Sequence, residues 1–246
     1  MSPSRKKGSK SKKGTLIYEG KTKRLYATED PDLIIQEFTD DITASDGKKR
    51  GVIKGKGIVN NRISAYIFEY LSSYHIPTHF EKSISERAML VKRLNMLPIK
   101  VVVRNIASGD FCHRYNVEEG KKLEQPILEF YLKNDSLSDP MINKHHATAL
   151  GLAKPEEVDT ITRYALKINA ILKSFFLRRN VQLVDSKLEF GRYRDRLLLA
   201  DEISPDTCHL WDVESGEKLD KDRFCQDLAG AEETYQEILK RVLKIS

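Results

Sequence analysis

The chain has 246 residues, enough for one large domain or two small lobes around a sizeable core. No apolar run approaches the roughly 18 residues of a membrane span, and the N-terminus lacks a signal-peptide core, so no membrane role and a cytoplasmic location are expected. The formal charge of +6 is local: residues 1–13 hold Arg5, Lys6, Lys7, Lys10, Lys12 and Lys13, and removing these six from 42 basic residues leaves as many as the 36 acidic ones.

Residues 1–14 therefore read as a disordered basic leader. Lysine runs attract phosphate, but no aromatic side chain is interleaved and no binding domain follows, so a solvated tail is favoured over a nucleic-acid partner. Cys112, Cys208 and Cys225 lie far apart with no C-x-x-C spacing, which argues against a disulfide framework or a zinc site.

Beyond the leader, Thr15–Ala27 and Leu33–Phe38 read as strands around the turn Glu29–Asp32. Asp40–Lys56, polar and glycine-rich, reads as an ordered functional loop. Apolar residues at 59, 63, 66, 67, 70 and 71 predict an amphipathic helix over Ile58–Ser72. Met89–Leu94 and Ile99–Arg104 read as strands around Asn95-Met96-Leu97-Pro98, a hinge between lobes at 15–97 and 98–246. His145-His146 diverge as neighbours and suit a loop surface. Pro155–Arg179 predicts a helix with a proline and two glutamates at its start and two arginines at its end. Asp220–Leu243 predicts a closing helix. A strand-rich first half and a mixed second half imply an α+β protein with a ligand cleft between lobes.

Two segments carry chemistry. In Tyr18-Glu19-Gly20-Lys21-Thr22-Lys23-Arg24-Leu25-Tyr26 a glycine marks a tight turn, with Lys21 and Lys23 on one strand face, a pattern suited to phosphate. In Leu183-Val184-Asp185-Ser186-Lys187-Leu188-Glu189-Phe190-Gly191, alternation puts Asp185, Lys187 and Glu189 on one face. The run Leu197–Glu202 returns as a second strand, and one even register sets Lys187 across from Asp201 with Glu189 diagonal. By itself this equals a salt-bridge ladder. Beside a phosphate-facing hairpin, the two carboxylates suit Mg²⁺, and the combination favours ATP.

The chain resembles the phosphoribosylaminoimidazole-succinocarboxamide synthases, or SAICAR synthetases. The resemblance rests on Tyr18-x-Gly20-Lys21-x-Lys23, Asp40-Asp41-Ile42-Thr43-Ala44-x-Asp46-Gly47, Lys56-Gly57-x-x-Asn60-Asn61, Val102-Val103-Arg104-Asn105, Lys133-Asn134-Asp135, Val184-Asp185-x-Lys187-Leu188-Glu189-Phe190-Gly191, Asp201-Glu202-x-Ser204-Pro205-Asp206, Leu210-Trp211-Asp212 and Asp220-Lys221-Asp222-Arg223-Phe224, in order from about residue 15 to the C-terminus. It implies a kinase-like two-lobed α+β fold with antiparallel sheets, in which ATP lies between an ATP-binding lobe and a substrate- and Mg²⁺-binding lobe. It implies a ligase of purine biosynthesis that uses ATP to join L-aspartate to an aminoimidazole carboxylate, with an acyl phosphate on the way. By the same resemblance Lys21 and Lys23 cover the phosphates, while Leu25, Leu94 and Met96 border adenine. Glu189 and Asp201 hold Mg²⁺. Arg104, Asp185 and Lys187 face the imidazole substrate, with Lys187 and Asp185 as the catalytic pair and Asp185 a candidate base. Small molecules are the expected partners, and a homo-oligomer is left open.

Four positions depart from the family pattern. Lys100 stands where an acid is usual, Asp110 where Ser is usual, and His209 and Cys225 where Arg is usual. The last three resemble the substrate 5′-phosphate cradle, where Asp110, His209 and Cys225 supply fewer donors than Ser and Arg. They motivate an alternative: a diverged paralogue with the same ATP chemistry on a different, unphosphorylated substrate.

Overall fold

Two antiparallel sheets and their covering helices make up the computed structural model, which describes residues 12–44, 49–226 and 229–244. The first half runs β1 (Leu16–Glu19), β2 (Lys23–Ala27), β3 (Leu33–Phe38), β4 (Asp41–Ala44), β5 (Lys49–Val52), α1 (Lys56–Ser73), β6 (Phe80–Ser83) and β7 (Ala88–Lys92). Five of these strands form a sheet in the order β1-β2-β3-β7-β6, and β4 pairs β5 as a separate hairpin. The second half runs β8 (Asn95–Ile106), α2 (Asp110–Tyr115), β9 (Lys122–Leu132), β10 (Met141–Ile142), α3 (Lys144–Ala149), α4 (Pro155–Leu177), β11 (Val181–Tyr193), β12 (Arg196–Ala200), β13 (Cys208–Asp212), α5 (Asp222–Cys225) and α6 (Ala231–Leu243). Its sheet orders β10-β9-β8-β11-β12, with β13 also on β11. The α+β expectation holds.

Helix α4 forms where the apolar spacing places it. Pro155 opens it, and the backbone N–H of Lys154 donates to the Glu157 carboxylate at 2.8 Å. Its Val158, Ile161, Ala165, Ile168, Leu172 and Phe175 are buried in one core that continues through both sheets and α6. Helix α1 starts under Asp40, whose carboxylate accepts from the N–H groups of Gly55 and Gly57 and from both arms of Arg87. A Cβ at Gly57 would lie 2.6 Å from the Phe38 carbonyl oxygen, so only glycine lets α1 approach β3 this closely.

The sheets meet at a seam. His79 and Leu199 share a 2.9 Å backbone hydrogen bond, and Leu199 donates to Pro77 at 2.9 Å. Across it Gln36 of β3 donates to the Asp201 carbonyl.

Several expectations change. Thr15–Ala27 is two strands, with Lys21 in the turn between them, so Lys21 and Lys23 do not share a strand face. Asp40–Lys56 contains the β4–β5 hairpin rather than a loop; its tip, 45–48, lies outside the described residues. The expected hinge at Asn95–Pro98 is continuous strand in β8, which leaves Arg93-Leu94 as the link between sheets. The closing helix is divided: Asp220 accepts from Asp222 N–H ahead of α5, and Gly230 at φ 81° precedes α6. Of the leader, residues 1–11 lie outside the described residues, while Lys13 pairs with Glu37 at 2.8 Å and Gly14 N–H donates to Ala27. No helix among the described residues is long and apolar enough to cross a membrane.

Candidate active site

Strand β11 carries two ionic clusters on one face, as alternation requires. The first gathers at the seam. Lys187 Nζ lies 2.8 Å from Glu189 Oε1 and 3.3 Å from Asp201 Oδ2. Lys23 reaches across from β2 to pair with Asp201 and, at 2.9 Å, with Glu202 Oε1. Lys133, just past β9, pairs with the other oxygen of Glu189. Three ammonium groups and three carboxylates thus converge from both sheets. Burial would push the Asp201 carboxyl up, but the charges of Lys23 and Lys187 hold it below the usual range. Burial likewise opposes charge on Lys23 and Lys187, yet their acidic neighbours hold both ammonium groups above the ordinary lysine value.

The register that brings these groups together differs from the expected one. Glu189 pairs with Ala200, so β12 ends before Lys187 could face Asp201 across a ladder. Asp201 instead leaves the strand at φ 62°, in the left-handed region. Successive strand residues diverge, whereas this turn lets Asp201 and Glu202 both reach Lys23. Sequence reasoning missed Glu202 for that reason. It also missed Lys133, although the Lys133-Asn134-Asp135 run was a usable signal.

The second cluster begins at Asp185. Its carboxylate accepts from Arg104 Nη1 at 2.9 Å and lies 2.9 Å from His209 Nδ1. Arg104 spends its other edge on Glu129, 2.7 Å from Nε, and Glu129 also holds Arg114 and Tyr131. His209 Nε2 faces Asp222 at 3.3 Å. Burial disfavours the imidazolium, but the charges of Asp185 and Asp222 raise His209 well above its ordinary value. Asp185 is buried, which pushes it up, but His209 and Arg104 hold it below the carboxylate range. Placed between them, Asp185 is the brace that sets Arg104 and His209.

The remaining expected residues sit around these clusters. Lys21 is exposed and pairs at 3.3 Å with Asp135, just past β9. Leu25, half-buried, shares the Lys23 face of β2. Leu94 and Met96 lie against Gly191, where a Cβ would sit 2.8 Å from Leu94 Cβ and 3.0 Å from Met96 Sδ. Asp110 is the exposed first residue of α2. Cys225 is half-buried in α5, and burial pushes its thiol up. Among the described residues no hydrogen bond or ion pair joins Asp110 to His209 or Cys225. Lys100 pairs with Asp139 at 2.6 Å instead of entering either cluster.

Two groups of side chains offer a cation hard donors. His209, Asp220 and Asp222 lie tightest, with ligand atoms within 4.8 Å of one another. In that trio His209 already lies between Asp185 and Asp222, and Asp220 is engaged by the N–H groups of Leu210 and Asp222. Glu189, Asp201 and Glu202 form a looser set whose atoms do not gather that closely, but every donor in it is an oxygen. They are oxygen donors at the seam, and the ammonium groups already gathered among them mark a place where positive charge is favoured.

A family model described as SAICAR synthetase matches residues 16–242. The phosphoribosylaminoimidazole-succinocarboxamide synthase of Prosthecochloris aestuarii is 52% identical over 233 residues, covering 95% of this chain and 99% of that protein. The crystal structure of the Ehrlichia chaffeensis phosphoribosylaminoimidazole-succinocarboxamide synthase superposes with TM-score 0.92 at 43% identity, covering 94% of this chain and all of that one. A type-2 SAICAR synthetase in complex with ADP superposes with TM-score 0.89 at 44% identity, covering 92% of this chain and 97% of that one.

Proposed function

The chain belongs to the SAICAR synthetase family, and on that premise we propose that the seam between its sheets is where ATP drives amide formation between L-aspartate and carboxyaminoimidazole ribonucleotide. It is an ATP-dependent ligase of purine biosynthesis, acting in the cytoplasm. The observation that carries the assignment is Lys187, which bridges Glu189 and Asp201 while Lys23 enters from the opposite sheet. Such an arrangement neutralises developing phosphate charge without a protein nucleophile.

In this reading ATP lies over β2, with its base against Leu25, Leu94 and Met96 and its phosphates near Lys21, Lys23 and Lys133. Glu189 and Asp201, with Glu202 beside them, would hold Mg²⁺, which supplies charge neutralisation for the triphosphate. Lys23 exchanges its carboxylates for phosphate oxygens when nucleotide binds. Lys187, a third exposed, offers its ammonium to the substrate carboxylate as that oxygen attacks the γ-phosphorus and ADP leaves. The amine of L-aspartate then attacks the acyl carbon, the bond to the phosphate oxygen breaks, and the amine proton leaves with the released phosphate. Arg104 and His209, braced by Asp185, present positive charge to the substrate; Asp110 and Cys225 border it.

The diverged-paralogue alternative is not favoured. Relatives half identical across nearly the whole chain carry the ordinary name. The test is product analysis. Carboxyaminoimidazole ribotide, L-aspartate and ATP should give the succinocarboxamide with ADP and phosphate, and the nucleoside lacking phosphate should turn over poorly.

A further inference from the structure

Asp201 is held from the opposite sheet by a side chain that the reaction above does not use. Its backbone is left-handed, φ 62°, and that turn is what aims Asp201 and Glu202 at one ammonium. The Asp201 carbonyl accepts a 3.0 Å hydrogen bond from Gln36 Nε2. Gln36 sits on β3, paired with Leu25 of β2, and is buried. A buried amide in a sheet core is costly unless its donors are used. Here a donor goes to a peptide of the other sheet, at the point where the chain leaving β12 turns left-handed. Lys23 also crosses the seam, but its charge is the kind that phosphate oxygens compete for. Gln36 is neutral and bonds the backbone, so its contact persists when nucleotide draws Lys23 away.

Resting on the reading of Glu189 and Asp201 as the metal-holding acids, we propose that Gln36 is a positioning residue. It fixes the left-handed Asp201 peptide and so ties the aim of the carboxylate to the seating of the N-terminal sheet. It touches neither substrate nor metal.

The test is calorimetric titration of ATP, with Mg²⁺ and with chelator, into the full-length protein and two variants. Gln36→Met keeps length and burial but removes the donor; Gln36→Glu keeps shape but sets an acceptor against the carbonyl. Partners behind metal ligands typically set 10–100-fold in metal affinity, so Mg²⁺-dependent ATP binding should weaken at least about tenfold in both variants, with chelated ATP binding changed less than about twofold. The Michaelis constant for the imidazole carboxylate should stay level while more Mg²⁺ is needed for half-maximal rate. Unchanged Mg²⁺ dependence in both variants overturns the proposal. So does equal weakening with and without Mg²⁺, which marks general loosening, or failure of both variants to fold, which marks Gln36 as framework. Asp201→Asn separates the two layers. If it keeps wild-type Mg²⁺ dependence, the metal assignment fails; if it loses that dependence while the Gln36 variants keep it, only the positioning role fails.

Discussion

Lys23 and Asp201 form an ion pair across the seam, one from each sheet, with both side chains largely buried. Removing one partner of a buried pair leaves an uncompensated charge, at about 3–5 kcal/mol. Lys187 still serves Asp201, so Lys23→Met should cost the lower end of that range, about 3 kcal/mol. The Asp201 carboxyl is depressed from its ordinary value of 3.8, so its share of stability is present above that pH and is lost as pH falls through the folded value. Urea unfolding of both proteins at pH 7 and near pH 2 checks this: the gap between them should shrink in acid.

Glu189→Gln and Asp201→Asn should each lower kcat by at least about 100-fold while leaving the fold intact, because metal and triphosphate lose their alignment. Steady-state rates beside circular dichroism decide it. Near-normal turnover in both variants would remove these acids from the mechanism.

His209→Gln should destabilise the protein by about 3 kcal/mol where the imidazolium is fully formed. The folded value of His209 is raised, so its contribution is complete below its ordinary 6.5 and disappears as pH rises through the folded value. Asp185 is depressed, so the pair also weakens in strong acid, below its ordinary 3.8. Unfolding measured from pH 5 to pH 10 should show the gap between wild type and variant closing at the alkaline end. His209→Arg keeps the charge and should show little of that pH dependence.

Gly191→Ala should move the connection between the sheets. Its new Cβ would overlap Leu94 Cβ and Met96 Sδ, a clash worth about 1–3 kcal/mol. The expected signature is a higher Michaelis constant for ATP with that for L-aspartate unchanged.

Leu172→Ala tests the core independently of the site. Leu172 is fully buried on α4, and truncation there should cost about 2–5 kcal/mol. The denaturation midpoint should fall with ATP binding preserved in the folded protein.

How much of this was readable in the chain depends on the element. Apolar spacing and end residues located α4, and alternation located the Asp185, Lys187 and Glu189 face. Alternation also assumes a strand that continues. It misplaced Asp201 by one register position, because nothing in a periodic pattern announces a left-handed turn at an aspartate. The polar Asp40–Lys56 run hid a hairpin in which, among the described strand residues, only Ile42 is buried. Strand β9 went unread because Glu124, Gln125 and Pro126 interrupt its apolar residues. Pro98 suggested a hinge, yet β8 runs through it, with Lys133 N–H donating to its carbonyl at 3.0 Å. Periodicity does not give the ionic partners of Asp185, which only the resemblance grouped with Arg104: the two lie 81 residues apart and meet because β8 and β11 pair with them in register.

The most direct test of the central claim is mass-spectrometric product analysis for wild type and Lys187→Met, given ATP, Mg²⁺, L-aspartate and carboxyaminoimidazole ribotide. The structure predicts that wild type forms the succinocarboxamide with one ADP and one phosphate per product, and that Lys187→Met forms almost none while still binding ATP. ATP consumed by wild type without aspartate entering the product, or full ligation by Lys187→Met, would contradict it.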